Sequence, residues 1–324
     1  MRSLQAYQEL FSTHLSSLKF EKEPMGLYKP ISYIMQLGGK RMRPVLALMA
    51  CEAVGKDPIS ALGAASSVEL FHNFTLLHDD IMDEATLRRG QQTIHQKWDV
   101  NTGILSGDAL LVTAYQQLNS YDDALFSELT KLLSETALLV CEGQQYDVDF
   151  ETRDNVSMDE YIHMIRLKTA VLLGCALRMG AIVGQASIDI ADCLYEFGVN
   201  LGIAFQLQDD LLDAFGDPKT FGKKVGGDIV ENKKTILYHL TRTHATAKDL
   251  ADFEQLMSTT SQNEEQKINN IKAIYESTDA RRRTTEQVMS YTKKALDALD
   301  QSSLEDNQVA YFTVFAEELM VRTK

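Results

Sequence analysis

Apolar residues recur every three or four positions along almost the whole chain, whereas two-residue alternation is rare. This spacing places them on one face of a helix and is not typical of strands. Only five prolines occur in 324 residues, so long stretches are free of residues that break helices. The pattern predicts an all-α fold, with helices over residues 45–54, 61–82, 105–118, 124–146, 158–165, 170–183, 188–215 and 235–244.

Nothing in the chain marks a boundary between domains. The apolar content of 44% is sufficient for a substantial core. The breaks between helical segments are short turns rich in glycine, proline and aspartate. We therefore predict a single all-α domain over residues 1–324, folded as one large helical bundle.

The charge and the cysteines limit the partners and the location of the protein. The formal charge is −14, which argues against general affinity for nucleic acid. The four cysteines are scattered without any CxxC pair, as in proteins of a reducing compartment. No apolar run reaches the roughly 18 residues of a membrane span, and the first residues do not resemble a signal peptide. These features predict a cytoplasmic protein without a membrane span or a nucleic-acid partner.

Two acidic segments of the form Asp-Asp-x-x-Asp stand inside apolar helical sequence. On a helix, Asp79 and Asp83 project from one face a turn apart, and Asp209 and Asp213 repeat that geometry. Two carboxylates about 5.5 Å apart repel by roughly 3 kcal/mol at an effective dielectric of about 20. A cation would relieve this repulsion, and hard oxygen ligands suit Mg²⁺, which commonly bridges to phosphate oxygens. The segments predict a diphosphate held in a central cleft between two metal-bearing helices.

Basic residues accompany both acidic segments. Residues 38–44 read GGKRMRP, in which two glycines free the backbone, three cations follow, and Pro44 can begin a helix. A helix N-terminus next to Lys and Arg makes an anion pocket. Arg88 and Arg89 follow the first acidic segment, and lysines at positions 223, 224, 233 and 234 follow the second. Each group alone is also compatible with a solvated basic turn or a charged helix end.

Two further positions are ambiguous on the sequence alone. His72 lies seven residues, about two turns, before Asp79 on the same predicted helix. It therefore either lines the cleft or is a satisfied core histidine. The pair Lys168-Thr169 stands between two helical segments and is non-specific by itself.

Taken in this order, these elements resemble those of the trans-isoprenyl diphosphate synthases, also called polyprenyl synthetases. The resemblance extends from Gly38 to about Thr235. It rests on GGKRMRP, the two aspartate-rich motifs, Lys168-Thr169, Phe205-Gln206, and Gly227-Asp228-Ile229 followed by Asn232-Lys233. One departure is Gln92, where the family often has proline; this change should loosen the loop but removes no ligand.

The resemblance implies an isoprenoid synthase-like fold and a head-to-tail condensation. An allylic diphosphate would ionise to a carbocation, the double bond of isopentenyl diphosphate would attack it, and a proton would be lost. The implied cofactor is Mg²⁺, with three ions per site once diphosphate is bound, and its ligands would be Asp79, Asp83 and Asp209. The other implied catalytic residues are Asp80, Asp210, Asp213, Lys168, Thr169 and Gln206, of which Thr169 and Gln206 would face the developing cation.

The resemblance also implies two groups of diphosphate ligands. The allylic diphosphate would be bound by Arg88, Lys168, Lys223 and Lys233. Isopentenyl diphosphate would be bound by Lys40, Arg43, His72 and Arg89. A homodimer in which each subunit holds its own site is implied as well.

Product length would be set on the helix that carries Asp79, because the product grows down along that helix from the diphosphate. Phe74 and Thr75, five and four residues before Asp79, would form the pocket floor together with Phe71. One aromatic residue at that distance, followed by a small residue, resembles geranylgeranyl-type enzymes, so we expect a C20 product ahead of C15. The alternative is that Phe74 is an ordinary core residue.

Two other functions compete with chain elongation. A class I terpene cyclase is also all-α with a first DDxxD motif, but its second metal motif is usually of an Asn/Ser/Glu type, whereas the second motif here is rich in Asp. A catalytically silent subunit that regulates a partner synthase would be expected to have lost aspartates from one motif, and both motifs are intact. The sequence therefore favours chain elongation.

Overall fold

The structure is a computed structural model that describes residues 1–217, 225–258 and 263–320. Helices dominate it, and the all-α prediction is confirmed. In the described part the strands are the antiparallel pair β1 (Leu87–Arg88) and β2 (Gln91–Gln92). The α-helices are α1 (Leu4–Ser17), α2 (Met25–Gln36), α3 (Met42–Ala53), α4 (Leu62–Met82), α5 (Ile94–Lys97), α6 (Val100–Gln116), α7 (Asp123–Thr152), α8 (Met158–Ile165), α9 (Val171–Val183), α10 (Ile188–Phe215), α11 (Gly227–Val230), α12 (Ile236–His244), α13 (Ala247–Ser258), α14 (Glu264–Ser277), α15 (Ala280–Asp300) and α16 (Asp306–Met320).

Three further short helical segments occur among the described residues. Pro58–Ala61 and Gln117–Ser120 are 3₁₀ turns, and Arg166–Ala170 is a π-helical segment between α8 and α9. All eight helices predicted from the apolar spacing are present, and α8 and α10 have the predicted bounds. None of the helices in the described ranges is both long enough and apolar enough to cross a membrane.

Local sequence fixes where several helices begin. Asp99 precedes α6, and its Oδ1 accepts a hydrogen bond from Thr102 N at 2.8 Å. At α8, Ser157 and Glu160 form a capping box: Glu160 N donates to Ser157 Oγ at 3.2 Å, and Ser157 N donates to Glu160 Oε2 at 2.9 Å. These side chains satisfy amide groups that have no partner inside the helix.

The first of two compact units comprises residues 1–136 and 175–195. Its core includes α3, in which every residue from Pro44 to Cys51 is buried. Gly180 of α9 lies against this helix, because a Cβ added there would be 2.0 Å from the carbonyl oxygen of Ala47. A residue without a side chain is therefore required for the two backbones to approach so closely.

The second unit comprises residues 137–174 and the chain from Glu196 onward. Aromatic contacts build its core: the ring centroids of Phe197 and Phe312 are 5.5 Å apart, and those of Phe253 and Tyr275 are 5.9 Å apart. All four rings are buried. This core anchors the part of α10 that leads to the second acidic motif. The predictions of a single domain and of a cleft between the acidic helices stay predictions.

Candidate active site

The first acidic motif occupies the C-terminal end of α4, in the first unit. The helix ends at Met82, and Asp83 N donates to the carbonyl oxygen of Asp79 at 2.8 Å. Asp79 is half-buried and Asp83 is exposed. The C-terminal end of a helix carries a partial negative charge, which disfavours carboxylates there. A bound cation would offset both this effect and the mutual repulsion of the two carboxylates.

Asp80, which lies between Asp79 and Asp83 in the motif, is buried and forms an ion pair with Arg88. Arg88 Nε lies 2.8 Å from both carboxylate oxygens, and Nη2 lies 2.7 Å from Oδ1. Burial raises the pKa of Asp80, and the charge and hydrogen bond of Arg88 act against that rise. The carboxylate thus fixes the guanidinium that the sequence predicts to bind the allylic diphosphate.

Arg88 belongs to the β1–β2 hairpin, which the sequence did not predict. Arg89 and Gly90 form its turn with φ of 53° and 75°. Positive φ at both central residues is what a two-residue type I′ turn requires. The Arg-Gly pair was a signal for such a turn. Gln92, expected to loosen this loop, pairs with Leu87, and its carbonyl oxygen accepts from Tyr33 Oη at 2.8 Å.

Arg89 connects the hairpin to the glycine loop before α3. Its Nη1 donates to the carbonyl oxygen of Gly38. A Cβ on Gly39 would lie 2.7 Å from the Arg89 guanidinium, so the bare backbone at Gly39 makes room for that side chain. Lys40, exposed in the same loop, accepts at its carbonyl oxygen from Gln8 Nε2 at 3.2 Å.

Arg43 and His72, both predicted to bind isopentenyl diphosphate, contact each other directly. Arg43 Nη1 lies 3.1 Å from His72 Nε2. Burial, then the charge of Arg43, lowers the pKa of His72 well below its ordinary value, so His72 is neutral and its Nε2 accepts from Arg43. Burial lowers the pKa of Arg43 to about 10, which leaves it cationic. Arg43 Nε is buried and has no hydrogen-bond partner among the described residues. A bound anion would satisfy it.

Arg41, the middle cation of GGKRMRP, points inward. It forms a buried ion pair with Glu69 of α4, and its Nη2 donates to the carbonyl oxygen of Met35 at 2.6 Å. Asn73 Nδ2 donates to Glu69 Oε1 at 3.0 Å. The pair fixes the loop from which Lys40 and Arg43 emerge. The sequence does not separate this anchoring cation from its two neighbours.

The predicted chain-length residues lie on α4 before the acidic motif. Phe71 is fully buried and Phe74 half-buried, and their ring centroids are 5.6 Å apart. Thr75 Oγ1 donates to the carbonyl oxygen of His72 at 2.9 Å and so turns back onto its own helix. Phe74 is therefore the larger of the two accessible side chains at these positions.

The second acidic motif ends α10, in the second unit. Asp209 and Asp213 are half-buried, whereas Asp210 is buried. Tyr161 Oη donates to Asp210 Oδ2, and Gln206 Nε2 donates to Oδ1 at 3.1 Å. Burial, followed by the charge of Asp228, raises the pKa of Asp210 to about 7. The sequence missed Tyr161, and no spacing connects it to Asp210.

Lys168 and Thr169 lie in the π-helical segment. Lys168 Nζ is 2.5 Å from Asp147 Oδ2, and Thr169 Oγ1 donates to Gln206 Oε1 at 3.4 Å. A Cβ on Gly143 of α7 would lie 2.2 Å from Lys168 N, so that helix packs directly on the segment. Single π turns inside helices are frequent at functional sites. The π turn and these contacts distinguish Lys168-Thr169 from regular helix surface, and their catalytic role stays a prediction.

Residues after α10 surround Asp213. Its Oδ1 accepts from Asp228 N at 3.0 Å. Lys233 Nζ lies 2.8 Å from Glu231 Oε2 and 3.7 Å from Asp228 Oδ1. Burial acts to lower the pKa of Lys233, but the hydrogen bond to Glu231 and the charge of Asp228 raise it overall. Lys223, predicted to bind the allylic diphosphate, lies outside the described residues.

The donors of both motifs fit a magnesium ion shared with a phosphate. Within the described ranges, no group of three or more His, Cys, Asp or Glu side chains is arranged to hold a metal ion. Mg²⁺ usually keeps several waters and binds through one or two carboxylates plus substrate phosphates, not through an all-protein cage. Pairs of carboxylates at helix C-terminal ends, with oxygen as the donor atom, are sufficient for such an ion.

Comparison with known proteins gives one consistent family. The family described as polyprenyl synthetase matches residues 24–277. A geranylgeranyl pyrophosphate synthase of Geoglobus acetivorans is 36% identical over 299 residues, 91% of each chain. A crystal structure of geranylgeranyl pyrophosphate synthase is 48% identical, with a TM-score of 0.96 and 100% of both chains covered. A polyprenyl synthase from Caulobacter crescentus CB15, crystallised with calcium and isoprenyl diphosphate, is 27% identical with a TM-score of 0.86, covering 99% of this chain and 96% of its own.

Proposed function

Because this chain belongs to the polyprenyl synthetase family, we propose that it is a trans-prenyltransferase that condenses isopentenyl diphosphate head-to-tail with an allylic diphosphate. The product is short and all-trans, with C20 geranylgeranyl diphosphate favoured and C15 farnesyl diphosphate next. The names of the relatives support this product class.

One observation carries the proposal: His72 and Asp79, both on α4, have chemically different surroundings. At His72 the group is cationic, with Arg43 and Arg89 close by, and at Asp79 it is a carboxylate pair suited to a metal ion. The two positions are seven residues apart, which is about 10 Å along a helix. A reaction between two diphosphates needs two such groups side by side, one bound directly by cations and one through metal ions.

The residues of the first unit form two groups, each of which binds a different diphosphate. Arg43, His72, Arg89 and Lys40 hold isopentenyl diphosphate, and the neutral His72 contributes a hydrogen bond without adding charge. Arg88, fixed by Asp80, faces the allylic diphosphate. Cations that are held in place before the reaction stabilise developing negative charge more than mobile ones do, because they need not reorganise.

Asp79, Asp83 and Asp209 would hold divalent ions, three Mg²⁺ per site in this proposal, whose positive charge would stabilise the departing diphosphate. The calcium in the Caulobacter relative, which like Mg²⁺ prefers oxygen ligands, supports this choice. Asp80, Asp210 and Asp213 hold neighbouring groups of the two motifs in place through their hydrogen bonds. The allylic C–O bond breaks, and its electron pair leaves with the diphosphate.

Lys168, Lys233 and Lys223 bind the departing diphosphate in this proposal. Thr169 and Gln206 face the carbocation. The Gln206 amide is oriented by its two hydrogen bonds, to Asp210 and from Thr169, so its dipole is fixed before charge develops. The double bond of isopentenyl diphosphate then forms the new C–C bond, and the released diphosphate takes the final proton.

The test is an incubation of the purified chain with labelled isopentenyl diphosphate, Mg²⁺ and C5, C10 or C15 allylic diphosphates. We expect consumption of isopentenyl diphosphate and a main product of C20 by chromatography. No consumption with any primer would contradict the proposal and favour a silent regulatory subunit. Cyclic hydrocarbon formed without isopentenyl diphosphate would identify a terpene cyclase instead.

A homodimer and a cytoplasmic location are also part of the proposal. The homodimer rests on the family resemblance, and the location on the four scattered cysteines. Light scattering of the purified chain measures the first, and a mass of one chain at micromolar concentration would contradict it.

A further inference from the structure

His78, immediately before Asp79, lies against α6 at a glycine. A Cβ on Gly107 would be 2.2 Å from His78 Nε2 and 2.5 Å from Cδ2, so the imidazole fills space that only glycine leaves open. His78 Nε2 also lies 3.3 Å from the carbonyl oxygen of Ile104. A carbonyl oxygen only accepts, so His78 Nε2 carries the proton and donates. The backbone of α6 thus fixes the ring from two directions.

The fixed imidazole is the support of Phe74. The two residues are four apart on α4 and therefore share a face. Their rings meet edge to face, with centroids 4.8 Å apart and an interplanar angle of 67°. On its other side Phe74 contacts Phe71, which is fully buried. Phe74 is thus held between one ring that the core fixes and one that α6 fixes.

We propose that His78 is a positioning residue that sets product chain length by holding the Phe74 ring in place. The inference rests on the proposed function, in which the product grows along α4 toward Phe74. No catalytic role of His78 is involved. Gly107 is part of the same arrangement, because the absence of a side chain there determines how closely the His78 imidazole approaches α6 and how far it lies from Phe74.

The geometry predicts opposite effects for the two positions. His78→Ala removes the support and opens space over Gly107, so Phe74 can withdraw and longer products form. Gly107→Ala places a methyl group where the imidazole lies and drives that ring toward Phe74, so shorter products form. A pocket change of methylene size alters discrimination by about tenfold or more. We therefore expect changes of about tenfold in the ratio of longer to shorter products.

Gly103→Ala is the matched control. Gly103 lies one turn before Gly107 on α6, but its added Cβ would meet Ile81 Cδ1 at 2.7 Å and not His78. The end of the Ile81 side chain is flexible and can move. Both changes put alanine for glycine inside the same helix, so both favour the helix equally. We expect the product profile of Gly103→Ala to match that of the unmodified chain.

The experiment measures product lengths at equal conversion of isopentenyl diphosphate for the full chain and for these variants, together with Phe74→Ala and the double variant Phe74→Ala/His78→Ala. Because product ratios are independent of the amount of active protein, partial misfolding does not mimic the effect. If His78 acts through Phe74, His78→Ala changes the profile in the original chain and adds nothing once Phe74 is alanine.

Three outcomes decide the matter. Opposite shifts in His78→Ala and Gly107→Ala, with no further shift in the double variant, support the inference. An unchanged profile in both, or an equal shift in the Phe74→Ala background, overturns it and leaves the proposed function intact if the original chain makes prenyl diphosphates. Absence of any prenyl product from the original chain overturns both.

Discussion

The two acidic motifs share their spacing and their position at a helix C-terminal end, but their second aspartates have different partners. Asp80 is bound by the guanidinium of Arg88, only eight residues later. Asp210 is bound by two neutral groups, the Tyr161 hydroxyl, 49 residues earlier, and the Gln206 amide. In both motifs the first aspartate is more accessible than the second.

The difference separates two roles within one motif. Adjacent helical residues point about 100° apart, so a first aspartate that faces a ligand leaves the second facing the protein. In the first motif that inward carboxylate anchors the β1–β2 hairpin and its cations. In the second it anchors α8 and orients Gln206. The positive charge of Arg88 compensates the buried negative charge of Asp80. At Asp210 the partners are neutral, and burial raises the pKa to about 7.

The largest expected effect is on catalysis and applies to both motifs alike. Asp79→Asn and Asp209→Asn each remove one carboxylate that we propose to bind a metal ion, and each should lower kcat/KM by about a thousandfold. Exposed acidic residues give matched controls, Asp123→Asn on α7 and Asp189→Asn on α10, which should retain full turnover. Steady-state kinetics with saturating Mg²⁺ is the measurement. A decrease in kcat/KM of less than tenfold at one of the two positions would show that the motifs do not contribute equally to catalysis.

Arg88→Leu should destabilise the first region most. It leaves the Asp80 carboxylate buried without its cation, and breaking a buried pair in this way costs about 3 kcal/mol or more. Urea unfolding in the absence of divalent ions measures the change. The double variant Arg88→Leu/Asp80→Leu removes both charges and should recover much of the loss. A cost for Arg88→Leu below about 1 kcal/mol would mean that Asp80 does not depend on its cation.

The second region should be sensitive to acid through His239, which packs against Tyr161 with ring centroids 5.6 Å apart. Burial lowers the pKa of His239 to about 4. Below about pH 6.5 the unfolded chain binds a proton that the folded chain does not, so stability falls as pH falls. At pH 4.5 the loss from this residue is roughly 2 kcal/mol.

His239→Phe should flatten this pH dependence by that amount in unfolding curves measured from pH 7 to 4.5. His163→Phe on α8 is the control, because His163 is exposed. The slope is the readout, since it is independent of any packing change. An identical slope in His239→Phe and the original chain would assign the acid sensitivity to other groups.

Tyr161→Phe should have the smallest effect on stability and so sharpens the contrast with Arg88→Leu. It removes one hydroxyl from Asp210, and the loss of a hydrogen bond to a buried group costs about 1–2 kcal/mol while Gln206 remains in place. Urea unfolding under the conditions used for Arg88→Leu compares the two directly. A cost equal to that of Arg88→Leu would show that neutral and charged partners support the motif equally.

The apolar spacing was sufficient to predict the all-α fold because the three- to four-residue repeat of a helix face extends over long segments of the chain. The apolar spacing also predicted the bounds of α8 and α10, and the turn sequence Gly216-Asp217-Pro218 marks the end of α10. The apolar spacing does not predict α1, α2 or the helices after His244. In α14 and α15 charged and polar residues outnumber apolar ones, so few apolar positions mark these helices, and a proline lies inside α2.

For the candidate site, the sequence identified candidate side chains but not the residues that they contact. Arg43 and His72, which the sequence places in one predicted diphosphate group, contact each other, and their role in binding stays a prediction. The contacts of Tyr161 with Asp210, of Arg41 with Glu69, and of His78 with Gly107 depend on packing between elements. Sequence distance alone does not encode such contacts.

If Asp79, Asp83 and Asp209 hold metal ions, turnover must depend on a divalent ion. We expect the purified chain, treated with excess EDTA, to lose condensation of isopentenyl diphosphate with an allylic diphosphate, and added Mg²⁺ to restore it. Full turnover in the presence of EDTA would contradict the assignment of Asp79, Asp83 and Asp209 to metal ions.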